Sequence, residues 1–317
     1  MTAFGHRITL GWIHRHLPPR AAVGVEIAVL DIAQDFLLAG LHSEGLFDNL
    51  LVFKGGTAIR KMWAGTAGRF STDVDFAAAN PATDRGAAAA LLAGALQGRR
   101  LGPFDFRASE RRGRWHLSVA GEFGSPQIAM KVDVGPPAWL RAEERRPVVT
   151  AIHSRYDFEM PAIPTIRLVE TLAEKIARLN RQSTARDAFD LVWAASAVPT
   201  LVPDTSRLRR LAVLKMWSDA NGLGVWLPAH NGGRFDPGIW LAPRVDWDDQ
   251  AIGLLTSPPP SLPELGSQLA ERYRWVTDLE PDEARWSQAH ADDRAEVIQA
   301  IVNLPDAALS SADLWGR

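Results

Sequence analysis

A short apolar run that ends in two glycines places the strongest constraint on the fold. Leu50–Phe53 has the composition of a buried strand, and it is followed by Lys54, Gly55–Gly56 and a helical pattern from Thr57 to Trp63. Two glycines allow the backbone to turn sharply and to approach a phosphate closely. A helix that opens at Thr57, with Thr57 near its cap, would direct N–H groups at that anion. No Gly-Lys-Ser/Thr sequence closes the turn, so it is not a P-loop.

A pair of acidic residues follows on the next strand. Asp73–Phe76 alternates between polar and apolar residues, which places Asp73 and Asp75 on one face of a strand. Neighbouring carboxylates repel one another, but together they suit a hard divalent cation. Asp133 lies on a third alternating segment, Met130–Val134, and a position next to the Asp pair would bring three carboxylates together. Two Mg²⁺ or Mn²⁺ ions about 3.5–4 Å apart could then hold an attacking hydroxyl and a leaving pyrophosphate.

The remaining patterns predict two lobes and an α+β fold. Residues 1–160 form an α/β lobe with a mixed sheet, and residues 161–317 form a mainly helical lobe whose last part is rich in Trp and Pro. Turn signals at 111–113 and 124–126 predict an antiparallel meander. The further predicted helices are Val23–Ala39, ending at Gly40, then Asp84–Leu96, a helical stretch from Thr165 to Trp193, Leu208–Trp217, Leu262–Trp275 and Asp282–Ile301; the meander strands are Phe104–Ser109, Trp115–Phe123 and Ile128–Val134.

Composition excludes several kinds of site. The chain has no cysteine, which rules out disulfides and thiolate zinc sites, and it has no GxSxG or HExxH sequence typical of hydrolases.

The chain lacks a signal peptide and a membrane-spanning run, so we expect a cytoplasmic protein. A formal net charge of −2 means that nucleic acid would need a local basic patch. The candidates for that patch are Arg107, Arg111, Arg112, Arg114, Arg141, Arg145 and Arg146.

The helical pattern after residue 165 carries further charged candidates. Lys175 and Arg178 share one helix face beside an apolar stripe, from which they could reach a triphosphate across a cleft between the lobes. Alternatively, both side chains extend along that stripe into water. Asp187 and Asp190 open the next helix, where they are either part of the site or only cap and ion-pair residues.

Four motifs in order carry a family resemblance. FKGGTAIRKMW, RFSTDVDF, MKVDV and LVETLAEKIARL…RDAFDL together resemble the AbiEii/AbiGii nucleotidyltransferase toxins over residues 45–195. The resemblance implies a polymerase-β-like fold and transfer of NMP from an NTP. It also implies an antitoxin encoded in the same operon, often a winged-helix repressor, and some relatives act on tRNA acceptor ends.

The resemblance also assigns residues. Gly55, Gly56 and Thr57 match the phosphate loop, and Asp73 and Asp75 match the metal site. Lys175 matches the basic residue of the AEKI-type helix, and either Asp187 or Asp190 matches the acidic motif that follows it. The predicted nucleotide-binding set is completed by residues within or beside these motifs, namely Lys54, Arg60, Ser71 and Arg178.

These observations predict a Mg²⁺-dependent nucleotidyltransferase toxin that acts on RNA, with a tRNA 3′ end as acceptor and a cognate antitoxin as its control. One alternative is nucleotidyl or phosphoryl transfer to a protein hydroxyl. A second alternative is a binding module that has the same fold but no activity. The clustered acidic and basic residues argue against this second alternative, since like charges cost stability unless a ligand uses them.

Overall fold

The computed structural model describes residues 4–19, 23–112, 114–123, 127–182, 184–201, 204–221, 240–242 and 261–315. These residues form two compact units. The first unit contains the residues up to 137 together with 142–165, and the second contains 138–141 and the described residues from 166 onward. The Trp- and Pro-rich stretch 222–260 lies outside the described residues except for 240–242.

An eight-stranded mixed sheet is the frame of the first unit, in the order β3-β4-β5-β6-β2-β1-β8-β7. The central strands β2 and β6 are parallel, whereas β4, β5 and β6 form the antiparallel meander that the turn signals predict. The mixed sheet confirms the predicted α+β class. The strands are β1 (Leu51–Lys54), β2 (Asp73–Ala78), β3 (Arg100–Leu101), β4 (Phe104–Arg111), β5 (Arg114–Gly121), β6 (Ile128–Gly135), β7 (Glu143–Arg145) and β8 (Ile163–Thr165).

Helices cover one face of this sheet. The helices of the first unit are α1 (Leu10–His16), α2 (Val25–Ser43), α3 (Leu46–Asn49), α4 (Gly55–Ile59) and α5 (Arg85–Leu96). Helices α2 and α5 pack against β3 to β6, and Phe36 of α2 meets Phe104 edge to face at 5.4 Å. Val74 and Phe76 of β2 are buried on this side of the sheet. Asp73 and Asp75 alternate with them along the strand, so their side chains project to the opposite, polar face.

The second unit is helical. Its helices are α6 (Leu168–Leu179), α7 (Ala185–Leu201), α8 (Thr205–Asn221), α9 (Leu262–Arg272), α10 (Pro281–Gln288), α11 (Arg294–Val302) and α12 (Ser311–Trp315). Buried Glu170 of α6 accepts the backbone N–H groups of Trp139 and Leu140 at 2.7 and 2.9 Å, which ties residues 138–141 to this unit. None of the helices in the described part of the chain has the length and apolar character needed to span a bilayer.

Several predicted helix boundaries differ from the structure, and two of the differences have a local physical reason. Helix α2 continues through Gly40 to Ser43, so Gly40 does not end the helix. The glycine instead allows Leu101 of β3 to approach the helix closely, since a Cβ at position 40 would lie 2.6 Å from Cδ1 of Leu101. The predicted helix Asp282–Ile301 is two helices, α10 and α11. The backbone N–H of His290 donates to the Asp293 carboxylate at 2.7 Å, and this local turn replaces helical bonding between them.

Candidate active site

Strand pairing places three charged side chains in one row across the centre of the sheet. Lys54 at the end of β1 pairs with Asp75 on β2, and Asp75 pairs with Asp133 on β6. Paired residues project to the same face, and the strands are about 4.8 Å apart. Asp75 is half-buried and Asp133 is exposed. The strand that carries Asp133 therefore lies next to the Asp pair, as a shared carboxylate site requires.

Asp73 lies one step along the same face. It is paired with Lys131 of β6, whose side chain is exposed. The hydroxyl of Thr72 donates to the Asp73 carboxylate at 3.4 Å. The polar face at the centre of the sheet thus combines Asp73, Asp75 and Asp133 with the cations Lys54 and Lys131.

The double-glycine turn packs against this row. Gly55 has φ +84°, a left-handed conformation. A Cβ at Gly55 would collide with the carboxylate of Asp75 and would lie only 3.0 Å from the Cβ of Asp75. A Cβ at Gly56 would collide with the guanidinium of buried Arg69. Gly55 is therefore required both by its positive φ and by Asp75, whereas a side chain at Gly56 would have to displace the end of the Arg69 side chain. The backbone of the turn lies between an acidic and a basic side chain.

The turn is also tied to the start of β2, which corrects one prediction. Helix α4 begins at Gly55 and not at Thr57, so Thr57 is not its cap. Thr57 is buried, and its hydroxyl donates to the backbone carbonyl of Asp73. Ser71 is buried as well: its hydroxyl donates to the same carbonyl at 3.4 Å, and its own carbonyl accepts from Gln34 at 2.8 Å. In the structure Thr57 and Ser71 hold the segment that carries Asp73.

Arg60, predicted to bind nucleotide, is placed in the protein interior instead. Its Nε and Nη2 donate to the carboxylate of Asp31 on α2 at 2.7 and 3.2 Å, and Nη1 donates to the carbonyl of Gly68 at 2.6 Å. The guanidinium also lies over the Phe70 ring, 3.9 Å from its centroid. Only 5% of the residue is exposed, so in this structure Arg60 serves packing, and its role in nucleotide binding stays a prediction.

A buried network of charges extends from this pair. Lys61 lies next to Arg60 in a π-helical turn, Arg60–Ala64, and its Nζ is 2.9 Å from Asp35 and 3.1 Å from Asp31. Burial raises the pKa of Asp35, but Lys61 and His153 outweigh it and bring that pKa to about 2. Asp31 is likewise buried, and Arg60 and Lys61 nevertheless hold its pKa well below the usual value. Helix α2 thereby anchors the segment that follows the glycine turn.

The second unit brings four predicted residues together in a cluster of its own. Nζ of Lys175 is 2.7 Å from Asp187 and 2.8 Å from Asp190, and Arg178 is 3.5 Å from Asp187. Burial raises the pKa of Asp187, but Lys175 and Arg178 outweigh it and hold that pKa far below its ordinary value. Lys175 is buried, so the alternative in which its ammonium extends into water is wrong.

The donor chemistry of the central row fits an oxygen-bound divalent cation. Asp75 and Asp133 are adjacent in register, and Asp73 shares their face. In the part of the chain that the structure describes, no group of three His, Asp or Glu side chains is arranged to hold an ion. Mg²⁺ often binds only one or two carboxylates, with waters and substrate phosphates as its other ligands. Two carboxylates of this row are therefore enough to fit such an ion when a nucleotide supplies phosphate oxygens.

The Gly55→Ala variant should lose stability and activity together. A non-glycine residue at a left-handed φ costs about 1–2 kcal/mol, and the new Cβ must displace Asp75. Thermal melting and an NMP-transfer assay would measure both effects. The matched control is Gly94→Ala on α5, where a Cβ would meet nothing within 4 Å and should stabilise by about 0.5–1 kcal/mol. Full activity in Gly55→Ala would show that the turn has no part in placing Asp75.

Three residues of this region were missed by the sequence predictions. Arg69 packs against Gly56, Gln34 holds the backbone before Asp73, and Lys131 pairs with Asp73. Arg69 and Lys131 stand inside the motifs RFSTDVDF and MKVDV, so their positions were visible in the sequence. Gln34 had no local signal, because it acts on a segment 37 residues away.

Comparisons with a family model and with solved structures found similar proteins. A family model described as nucleotidyl transferase AbiEii toxin, type IV TA system, matches residues 36–281, which extends well beyond the four motifs. Among solved structures, the chain is similar to MenT4, a nucleotidyltransferase toxin from Mycobacterium tuberculosis H37Rv. The TM-score is 0.80 and the identity is 33%, with 94% of this chain and 99% of that chain covered. No curated protein matches the chain.

The family match and the structural likeness confirm the predicted polymerase-β-like fold and the predicted enzyme class: the chain is a nucleotidyltransferase. Proteins of this kind generally use an NTP and a divalent metal, and toxins of type IV systems have a cognate antitoxin. With the match covering residues 36–281, the chain belongs to the AbiEii nucleotidyltransferase toxin family of type IV toxin–antitoxin systems.

Proposed function

We propose that the chain transfers NMP from an NTP to an RNA 3′ hydroxyl, with a tRNA acceptor end as substrate. Mg²⁺ is bound by two of the three carboxylates Asp73, Asp75 and Asp133, together with phosphate oxygens of the NTP. The observation that carries this proposal is the register that sets Asp75 beside Asp133 on one side and Lys54 on the other. In the reaction the RNA oxygen forms a bond to the α-phosphorus, and the bond to pyrophosphate breaks. A bound divalent ion would neutralise phosphate charge and favour the ionised hydroxyl.

The row has two sides with different roles. On the β1 side, Lys54 is a cation for the triphosphate, and the backbone at Gly55 and Gly56 permits close approach of phosphate oxygens. On the other side, β6 leads into the exposed polar face of β5 and β4, so Asp133 is the carboxylate nearest the acceptor. This division supports an order of nucleotide, metal and RNA across the sheet.

Two basic groups from the sequence analysis have different support as an RNA patch. Arg107 and Arg111 of β4 are exposed and stand an even number of residues apart, so their side chains project to the same face of the strand. Phe106, next to Arg107, is buried in the core, so this shared face is the polar one. Arg145 instead donates to the carbonyl of Met62 at 2.8 Å, and Arg146 lies 3.6 Å from Glu159. The β4 arginines are therefore the better candidates for contact with RNA.

We propose that Lys175 contributes to NTP binding. An experiment must distinguish this contribution from the stability that Lys175 gives through its ion pairs with Asp187 and Asp190. Lys175→Met leaves Asp187 and Asp190 buried without their ammonium partner and should destabilise the fold by about 3–5 kcal/mol. Lys175→Arg keeps the positive charge and serves as the control. NTP affinity is measured at a temperature where both variants are folded. A lower Tm with unchanged NTP affinity in Lys175→Met would limit Lys175 to a structural role.

We further propose that a winged-helix repressor serves as the cognate antitoxin and that the toxin acts in the cytoplasm, where NTPs and tRNA are found. Membership of a type IV toxin–antitoxin family supports an antitoxin in general. Expression of this chain alone in bacteria should arrest their growth, and co-expression of the neighbouring gene's product should suppress that arrest. If growth arrest persists with that product present, the repressor assignment is wrong.

The test of the proposed function uses two labels and two acceptor pools. Purified chain is incubated with Mg²⁺ and an NTP labelled at either the α- or the γ-phosphate, together with total bacterial RNA or total bacterial protein. We expect α-label in RNA and no transfer of γ-label. Label in protein alone would refute the RNA acceptor and support the protein-hydroxyl alternative, and transfer of γ-label would indicate phosphoryl transfer. Label in neither pool would contradict the proposed transfer and support a binding module.

A further inference from the structure

The polar face of the meander continues directly from the carboxylate row. Strand register connects Asp73 to Lys131 on β6, then to His116 on β5 and Ser109 on β4. Three strand spacings of about 4.8 Å make this path roughly 14 Å long, or about four stacked nucleotides at a rise of 3.4 Å. The path starts at the candidate metal site and runs away from the Lys54 side.

A second row on the same face is displaced by two residues. Arg107 of β4 pairs with Ser118 of β5, and Ser118 pairs with Ala129 of β6. Arg107 and Ala129 are exposed, and Ser118 is half-buried. Gln127, directly before β6, donates its amide to the Ser118 hydroxyl at 2.5 Å. The face therefore offers hydroxyl, amide and guanidinium groups, which are the usual partners of phosphate oxygens.

A hollow of about 320 Å³ lies at the far end of this second row. Its lining includes Arg107, Gln127, Asp105 and Ala120. This volume is at the small end of ligand pockets. The acidic member, Asp105, is 3.4 Å from Arg100, which partly offsets its charge.

We propose that this face, which we call the acceptor track (Arg107, Ser109, His116, Ser118 and Lys131), binds the single-stranded 3′ end of the acceptor RNA. The proposal rests on the proposed function, because it needs an acceptor whose 3′ hydroxyl ends at Asp133. Lys131 and Arg107 contact the phosphates at the near and far ends, and the hydroxyls of Ser109 and Ser118 bind between them.

The side chains of the track also predict how it recognises RNA. Apart from the His116 ring, the track carries no aromatic side chain, since the neighbouring Phe106 has its side chain in the core. Base stacking on aromatic rings gives most single-strand binders their hold on bases. Contacts to phosphates carry little sequence information. The track should therefore bind RNA ends with weak base preference and strong salt dependence.

The experiment measures binding of the full chain to a fluorescent single-stranded RNA of 15 nucleotides and mixed sequence, at salt concentrations from 50 to 200 mM. Lys131→Gln and Arg107→Gln should each weaken binding and lower the slope of log affinity against log salt by about 0.7, the value for one lost phosphate contact on a single strand. The matched control is Arg85→Gln at the start of α5, a helix that packs on the opposite face of the sheet. Its affinity and slope should equal those of the wild type.

Equal affinity and equal slope in Lys131→Gln, Arg107→Gln and the wild type would overturn the track. If Lys131→Gln and Arg107→Gln modify RNA as well as the wild type does, the track is overturned but the proposed function stands. A wild type that labels only protein removes both proposals, because the track then has no RNA to hold. Weaker RNA labelling by the two variants, with normal labelling by Arg85→Gln, supports the track.

Discussion

Asp75→Asn should reduce NMP transfer by more than about a hundredfold while the protein remains folded. Loss of groups that only orient metal ligands already costs 10–100-fold, so loss of a direct ligand should cost at least as much. Asp75 is the central member of the Lys54–Asp75–Asp133 row, which makes it the residue whose charge the proposed site needs most. Removing one of several clustered carboxylates relieves repulsion, so Tm should stay the same or rise.

The measurement is incorporation of α-labelled NMP, together with a thermal melt of the same preparation. Asp48→Asn is the control, because Asp48 is an exposed carboxylate on α3 and lies outside the row. It should transfer NMP as the wild type does. Turnover by Asp75→Asn within a few-fold of the wild type would remove the carboxylate row from the mechanism.

Asp31→Asn should destabilise the fold by about 3–5 kcal/mol, the usual cost of breaking a buried ion pair. Asp31 accepts both guanidinium bonds from Arg60 and lies 3.1 Å from the ammonium of Lys61. The substitution keeps the shape of the side chain but removes the carboxylate that Arg60 contacts and leaves Lys61 with Asp35 as its carboxylate partner. The neutral amide also presents an NH₂ group where His16 now meets a carboxylate oxygen at 2.6 Å.

Chemical denaturation of Asp31→Asn beside Glu44→Gln measures this effect. Glu44 caps the same helix, α2, and pairs with Arg99 at 2.6 Å, but both of those side chains are about a third exposed. An exposed pair contributes only about 0–1 kcal/mol. Similar losses in the two variants would mean that the Arg60–Lys61 network contributes no more than a surface ion pair does.

Much of the central sheet could be predicted from local patterns. Strict alternation in Asp73–Phe76 and Met130–Val134 places the carboxylates on one face, since side chains on a strand have a period of two. The turns near residues 112 and 125 indicate the meander, because short connections join antiparallel neighbours. The apolar stripe from Leu168 to Leu179 likewise predicts the buried face of α6. These features depend on residues a few positions apart.

The surroundings of other residues depend on distant partners and could not be predicted from local patterns. Arg60 stands in the motif FKGGTAIR, and its burial is decided by Asp31, 29 residues earlier. The position of Thr57 follows from its bond to the Asp73 carbonyl, 16 residues later, and not from capping. Lys175 is enclosed by carboxylates of the next helix, which an apolar stripe on its own helix does not reveal. A charged residue within a motif therefore does not by itself indicate contact with substrate.

The most direct test of the carboxylate site is a Mn²⁺ titration followed by electron paramagnetic resonance, in which bound Mn²⁺ loses the sharp signal of the free ion. The chain is titrated together with a non-hydrolysable NTP analogue, as wild type, Asp75→Asn, Asp133→Asn and the control Gly94→Ala. We expect wild type and Gly94→Ala to bind equally, and each Asp variant to bind at least about tenfold more weakly. Wild-type affinity in Asp133→Asn would contradict the account, since the pairing of Asp75 with Asp133 would then hold no metal.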